Sequence, residues 1–221
     1  RVFFSNGGSD AVDTALRFVQ YQNNVIGKPD KKKILCREKG YHGSSYLAAT
    51  VSGTGREHDR RYMDTHHDLA IMLPNINPYI RPIGTSVEEW CNAKISEMEE
   101  TILSIGPDQI GCFIAEPILA SGGVIVPPPG YHQRSLELCK KHDIVYISDE
   151  TVTGFGRLGH WFASKEIFGI QPDIITCAKG LTSGYLPMGA AIISESLIDS
   201  IKNKDGSQPF TNGYTYSCHP V

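Results

Sequence analysis

No two cysteines stand in a C-x-x-C pair, no histidines form an H-E-x-x-H motif, and no apolar run approaches bilayer-spanning length. Each absence excludes a class. The six cysteines, at 36, 91, 112, 139, 177 and 218, offer neither a zinc site nor a disulfide framework. Three of them, Cys36, Cys112 and Cys177, fall in expected strands, so the set reads as buried thiols of a reducing compartment. The eight histidines include His66-His67-Asp68 but no metal signature, and no metal is expected. A net charge of −3 gives no electrostatic reason to expect nucleic acid or a membrane surface as partner. Internal repeats, low-complexity tracts, convincing linkers, an initiator methionine and a targeting segment are all missing. What is present is 221 residues, 40% of them hydrophobic, enough to bury one sizeable core. The expectation is a soluble cytoplasmic domain. The chain begins on a strand (Arg1–Phe4) and stops at His219-Pro220-Val221, which reads as an internal piece of a longer protein.

The stretch from Ile144 to Leu181 organises the rest. Two short apolar runs, Ile144–Ile147 and Ile174–Cys177, are separated by a helix-length segment and read as parallel strands of an α/β sheet. Asp149 follows the first run and Lys179 the second. Ligands of such sheets bind beyond the carboxyl ends of the strands. A lysine and an acid placed there suit pyridoxal phosphate, which needs a Schiff-base amine and a carboxylate for its ring nitrogen. Alone, each residue has a plainer reading: the acid as a turn or helix cap, the lysine as a solvated loop residue.

Other strand ends agree. Val2–Phe4 is a short strand followed by Asn6-Gly7-Gly8-Ser9-Asp10 and a helical stripe of Ala11, Ala15, Phe18 and Gln22. A glycine-rich turn opening a helix offers free N–H groups to an anion, and Ser9 adds a hydroxyl. The plainer alternative is an ordinary N-cap at Ser9 or Asp10, since this is neither a P-loop nor a complete G-x-G-x-x-G. Residues 30–33 read as a solvated turn, Ile34–Arg37 as the next strand, and Tyr41, between glycines beyond it, as an aromatic able to stack on a flat ring or simply pack in a loop. Val51–Arg81 reads as a long loop. Val87, Cys91, Ile95, Met98, Ile102 and Ile105 mark one face of a helix ended by Gly106-Pro107. Ile110–Ala115 is a strand with Glu116 at its end, and Tyr131–His142 a helix. Ala190–Ile193 is a strand, Glu195–Lys202 a short helix, and Gly213–Pro220 a closing loop. Arg157 reads as a structural residue of the Gly154–Gly159 loop.

Five strand ends thus carry Gly8/Ser9, Tyr41, Glu116, Asp149 and Lys179: an anion cradle, an aromatic plate, two acids and an amine. On these residues, and on the stretches FSNGGSDAVDTALR, YHGSS, IAEPI, GGVIVPPPGY, SDETVTGFGRLG, QPDIITCAKGLTSGYLPMGA and GYTYSCHP, the chain resembles class III (ω-type) pyridoxal-phosphate-dependent aminotransferases of fold type I along essentially its full length. The AKGLTSGYLPMGA stretch looks most like the amino acid:pyruvate branch. The resemblance implies a three-layer α/β/α large domain with a mostly parallel sheet across residues 1–221, without the family's amino-terminal segment and carboxyl-terminal small domain. It implies transfer of an amino group from an amine or ω-amino acid to a keto acid such as pyruvate. Lys179 would form the internal aldimine and Asp149 would keep the pyridine nitrogen protonated. Gly8 and Ser9 would bind the phosphate. Tyr41, with His42 in the same site, would lie against the ring, Thr151 would pack on its other face, and Glu116 would be an acid near it. Thr215 would reach the phosphate of a neighbouring subunit in a homodimer. The lysine is expected to be desolvated beside a cationic ring. The sequence departs from the family pattern with Gly7 for serine, Asp10 for glutamate, Thr151 for an aliphatic residue and Cys218 for glycine. Other reactions on the same scaffold (aminomutase, racemase or decarboxylase) and a catalytically silent homologue remain open.

Overall fold

The computed structural model of the protein describes residues 1–54, 63–202, 204 and 209–219. These residues form a seven-stranded sheet of β1 (Val2–Ser5), β2 (Lys33–Arg37), β3 (Ala70–Leu73), β4 (Ile110–Ala115), β5 (Val145–Asp149), β6 (Ile174–Cys177) and β7 (Gly189–Ile193). The order is β1-β7-β6-β5-β4-β2-β3. Strands β3, β2, β4, β5 and β6 are parallel, and β7 runs antiparallel to both β6 and β1. Reversing β7 alone returns β1 to the common direction, so β1 ends on the same rim as the parallel strands. The helices are α1 (Gly8–Val25), α2 (Tyr46–Thr50), α3 (Val87–Ile105), α4 (Tyr131–Lys141), α5 (Ala163–Glu166) and α6 (Glu195–Ile201).

Alternation along each strand divides the apolar side chains between two cores. Leu35, Phe113 and Tyr146 pack on one face against Cys91, Ile95, Met98 and Ile102 of α3 and Leu136 and Cys139 of α4. Ile34, Cys36, Cys112, Ile114, Val145 and Ile147 face the other way, onto Val12, Ala15, Leu16 and Val19 of α1. Strands covered on both faces read as continuous apolar runs, which is why IGCFIA and VYIS are legible as strands. The result is the expected three-layer α/β/α arrangement.

Helix ends show where the chain is closed and where it is left open. At the start of α3 a capping box forms: Glu89 N donates to Ser86 Oγ at 3.1 Å, and Ser86 N donates to Glu89 Oε2 at 2.7 Å. Gly7 at the start of α1 supplies no side-chain cap, so neither Ser9 nor Asp10 plays that part. At the far end of α4, Lys31 Nζ donates to the carbonyls of Asp143 (2.6 Å) and His142 (3.4 Å). Lys31 is buried. The solvated turn expected over residues 30–33 is therefore corrected at this position: orphan carbonyls and the negative end of the helix dipole partner its ammonium.

The long loop expected over Val51–Arg81 is also corrected. Ala70–Leu73 forms β3, in parallel register with β2 from Ile34↔Ala70 to Arg37↔Leu73. Asn77 Oδ1 then accepts from Tyr79 N at 3.0 Å and caps a short 3-10 turn, Pro78–Ile80. An edge strand of four residues, with Leu73 its one buried member, carries too little alternation to read from sequence. Residues 55–62 of that stretch lie outside the described residues. The cysteines are all free; five are buried as expected, while Cys218 is exposed. Burial, and then the charges of Asp149 and Glu150, push the Cys177 thiol up to about 12.

One buried histidine ties α4 to the sheet's functional rim. His132 Nε2 lies 3.0 Å from the Pro117 carbonyl, which can only accept, so Nε2 carries the proton. Nδ1 then accepts from the Tyr146 hydroxyl at 2.8 Å. Burial, and after it the charge of Arg37, push this imidazole from 6.5 down to about 3. The folded protein thus holds the neutral form. Its stabilising contribution is complete above 6.5 and is lost as pH falls towards 3, at about 1.4 kcal/mol per pH unit. His132→Gln keeps one donor and one acceptor but does not titrate. Urea unfolding between pH 6.5 and 3 should therefore show a shallower loss of stability in the variant, and equal slopes would refute this account.

Candidate active site

The carboxyl ends of β1, β2, β4, β5 and β6 surround a cavity of about 260 Å³. Gly8, Ser9, Tyr41, His42, Glu116, Asp149, Thr151 and Lys179 all line it. Of the site residues expected from sequence, Thr215 alone does not. It is exposed in the closing loop, which docks on α1 through Tyr214 Oη to Asp10 O (3.2 Å) and Asn212 Nδ2 to Thr14 Oγ1 (3.1 Å). In the same loop Cys218 has φ 58°, a left-handed backbone that costs a residue with a Cβ roughly 1 kcal/mol relative to glycine.

Asp149 closes β5 and is buried. Its Oδ2 lies 2.8 Å from His42 Nδ1, and its Oδ1 accepts from Thr176 Oγ1 at 3.0 Å and from Thr151 N at 3.1 Å. Burial pushes this carboxyl up, but the hydrogen bond and charge of His42 and the N–H of Thr151 outweigh it and hold the group below the usual carboxylate range. His42 therefore does more than share the cavity: it orients and stabilises the acid. Thr176 was not foreseen. It sits directly across β6 from Asp149, and the signal was one hydroxyl residue in the buried run IITC.

Glu116 behaves in the opposite way. Its Oε1 accepts from Tyr41 N at 2.8 Å and its Oε2 from Ala120 N at 3.0 Å. Burial pushes this carboxyl up, with Asp149 adding to the rise, against the pull of His42 and the two N–H groups. The site thus holds one acid pushed below and one pushed above the usual carboxylate range. Arg37, itself buried, donates to the Glu116 carbonyl at 2.6 Å and secures the turn. Half-buried Tyr41 reaches Ser44 Oγ with its phenol at 2.9 Å.

Glu150, the next residue after Asp149, is turned into the core. It accepts from Thr153 Oγ1 (2.8 Å), Ala163 N (2.8 Å), Ser164 N (2.7 Å) and Ser164 Oγ (2.5 Å), and so clamps the loop that returns to α5.

The end of the cavity next to α1 is shaped by what is missing from Gly8. A Cβ there would come within 3.0 Å of Thr151 Cγ2 and 3.3 Å of its Oγ1. Glycine keeps the first N–H groups of α1 uncovered, and these have no partner within the helix. Ser9 Oγ accepts from Ser44 N at 3.1 Å, leaving its own proton to give. Thr151 Oγ1 is buried without a partner. A glycine cradle, an orphaned hydroxyl and an ionised acid around one cavity fit a phosphorylated pyridine ring. Lys179 begins the 3-10 turn after β6 and is exposed. Its exposure among the described residues differs from the expected desolvation.

A family model, Aminotransferase class-III, matches residues 1–221. The chain belongs to the class-III aminotransferases. It is 43% identical over 224 residues to a vanillin aminotransferase of Capsicum frutescens, covering all of this chain and 48% of that protein. It is 42% identical over 224 residues to a mitochondrial gamma-aminobutyrate transaminase 1 of Oryza sativa subsp. indica, covering all of this chain and 43% of that protein. An amine transaminase from an uncultivated Pseudomonas species, solved in its PLP-bound form, superposes with a TM-score of 0.93 at 39% identity, covering all of this chain and 49% of that one. The chain therefore spans about half the length of the relatives it matches. Pyridoxal phosphate is the family's cofactor, and the residues lining this cavity fit it. No helix among the described residues is long and apolar enough to cross a membrane.

Proposed function

We propose that the whole protein is a transaminase that moves an amino group from an amine or ω-amino acid to a keto acid such as pyruvate. The observation that carries this reading is the single cavity at which a buried, ionised Asp149, the uncapped start of α1 and Lys179 meet. When bound, pyridoxal phosphate supplies the electron sink for charge developing at the substrate carbon. Asp149 holds the proton on the ring nitrogen, and His42 and Thr176 fix that carboxylate in place. Gly8, Ser9 and the first N–H groups of α1 would hold the phosphate, and Tyr41 and Thr151, which line the same cavity, would pack against the ring. Lys179 Nζ would hold the cofactor covalently and supply the amine that moves the proton at the substrate carbon. Glu116, whose carboxyl burial pushes up, would be the acidic side chain beside the ring.

A second subunit completes the site in this reading. Thr215 is exposed away from the cavity, Lys179 is uncovered, and Trp161, Tyr185 and Tyr216 are large exposed apolar side chains. A homodimer in which Thr215 meets the partner's phosphate accounts for all three.

The test is borohydride reduction of the full-length protein with pyridoxal phosphate, followed by peptide mapping, together with an assay for alanine formed from an amine and pyruvate. A pyridoxyl group on Lys179 and new alanine are expected. An adduct at another lysine, or consumption of the amine without alanine, would overturn the reading.

A further inference from the structure

A second cavity, of about 220 Å³, lies on the opposite rim of the sheet, at the amino ends of β5 and β6. Val145 opens β5 and Asp173 precedes β6. Both line it, with Gln22 and Asn23 from the last turn of α1 and Cys139 and Lys140 from the last turn of α4. It shares no lining residue with the active-site cavity, and none of the roles above uses it.

Its wall is rich in acceptors. Gln22 is only 6% exposed and continues the stripe of Ala11, Ala15 and Phe18 on the buried face of α1. Its Nε2 donates to Ser200 Oγ at 3.2 Å, and Ser200 gives its own proton to Leu197 O at 2.7 Å. That spent proton fixes the amide: nitrogen towards Ser200, oxygen left for the cavity. Gln22 Oε1 is buried with no partner, a costly state that an apolar residue at this position would avoid. Asp173 is the second acceptor. Its Oδ2 takes Tyr146 N at 2.8 Å, and it makes no ion pair with any described residue. Burial pushes its carboxyl up, with Asp143 adding to the rise, against the pull of Tyr146 N and of Lys140. Asp143 already has its cations, Lys28 Nζ at 2.5 Å and Lys31 Nζ at 3.5 Å. The last turns of α1 and α4 also bring the negative ends of two helix dipoles to this wall. Such a wall favours a cation with several N–H donors. A metal ion is a poorer match, since no group of three or more His, Cys, Asp or Glu among the described residues could hold one. Half-buried Ile26 and Leu197 add an apolar side for an alkyl stem.

We propose that this cavity binds a small alkylguanidinium or alkylammonium ion, its N–H groups shared between Gln22 Oε1 and the Asp173 carboxylate. The site stands apart from the active-site cavity and does not depend on the transaminase reading.

The experiment titrates the full-length protein, loaded with pyridoxal phosphate, with ethylguanidinium chloride by calorimetry. This probe carries no transferable amino group. Tetramethylammonium chloride, a cation without N–H donors, is the control. One saturable site per chain is expected for ethylguanidinium and none for tetramethylammonium. Gln22→Met keeps the length of the side chain but not its oxygen, and Asp173→Asn keeps an acceptor for Tyr146 N but not the charge. Each should weaken binding by about tenfold or more. No saturable binding below about 10 mM, or equally tight binding of tetramethylammonium, would overturn the assignment. So would unchanged affinity in either variant that stays folded by thermal unfolding, because the ion would then sit elsewhere, the active site included. Where one variant fails to fold, the other decides.

Discussion

Lys179→Ala in the full-length protein should reduce amino transfer by about 10⁴-fold or more, the upper range for one positioned acid–base group, because in the proposed function the same amine would also anchor the cofactor. The fold should survive the change. Lys179 is exposed and its side chain holds no ion pair or hydrogen bond with any described residue, so the melting temperature should stay near the wild-type value. The groups proposed to hold the phosphate and the ring nitrogen are untouched, so pyridoxal phosphate should still bind, now non-covalently. Three measurements separate this from a structural role: turnover, thermal unfolding, and cofactor retained on gel filtration with and without borohydride. Retained cofactor, no covalent adduct and no turnover is the expected pattern. Turnover within tenfold of wild type would remove Lys179 from the chemistry.

Asp149→Asn and Glu150→Gln should fail in different ways, although the two acids adjoin. Asparagine at 149 loses the charge that would hold a protonated ring nitrogen, a charge-assisted bond worth roughly 1.5–3 kcal/mol, or about 10- to 150-fold in cofactor affinity. It also presents an amide to His42 where a carboxylate stood. Cofactor should dissociate on dialysis, and single-turnover proton transfer should slow by at least about 10²-fold. Glutamine at 150 instead turns an N–H₂ group towards an all-donor environment of Thr153, Ala163 and Ser164. Each donor left unsatisfied costs about 1–3 kcal/mol, so the urea midpoint should fall while cofactor affinity of the folded protein changes little. Equal effects of the two substitutions on cofactor affinity would mean that the wrong carboxylate has been assigned to the ring.

Much of this was legible in the chain. Strands buried on both faces are short unbroken apolar runs, and such runs are local features of sequence, so β2, β4, β5, β6 and β7 could be placed; β1, an edge strand with Val2 and Phe4 exposed, was legible as an apolar run as well. The residues beyond those runs could be named for the same reason, and Gly8, Ser9, Tyr41, Glu116, Asp149 and Lys179 do meet at one cavity. The edge strand β3 was missed because its four residues carry no clear period. Lys31 was misread because its partners are carbonyls of α4, more than a hundred residues away.

The sequence by itself determined the layered α/β architecture, the family, and the identity of the groups on the rim, because strand length, apolar alternation and the residue after each strand are set within a few positions of chain. The tertiary structure decided what those groups are to one another. Residues 42 and 149 are 107 positions apart and become a hydrogen-bonded pair only when β2 and β5 are brought to the same rim. Asp149 and Glu150 share one chemistry and part only because one faces the cavity while the other meets four donors in the core. The loop of Gly154 and Phe155 can press against the turn after Lys179 because Gly180 has no Cβ between them. In each case the deciding quantity is a distance across the fold, and linear spacing carries no such distance.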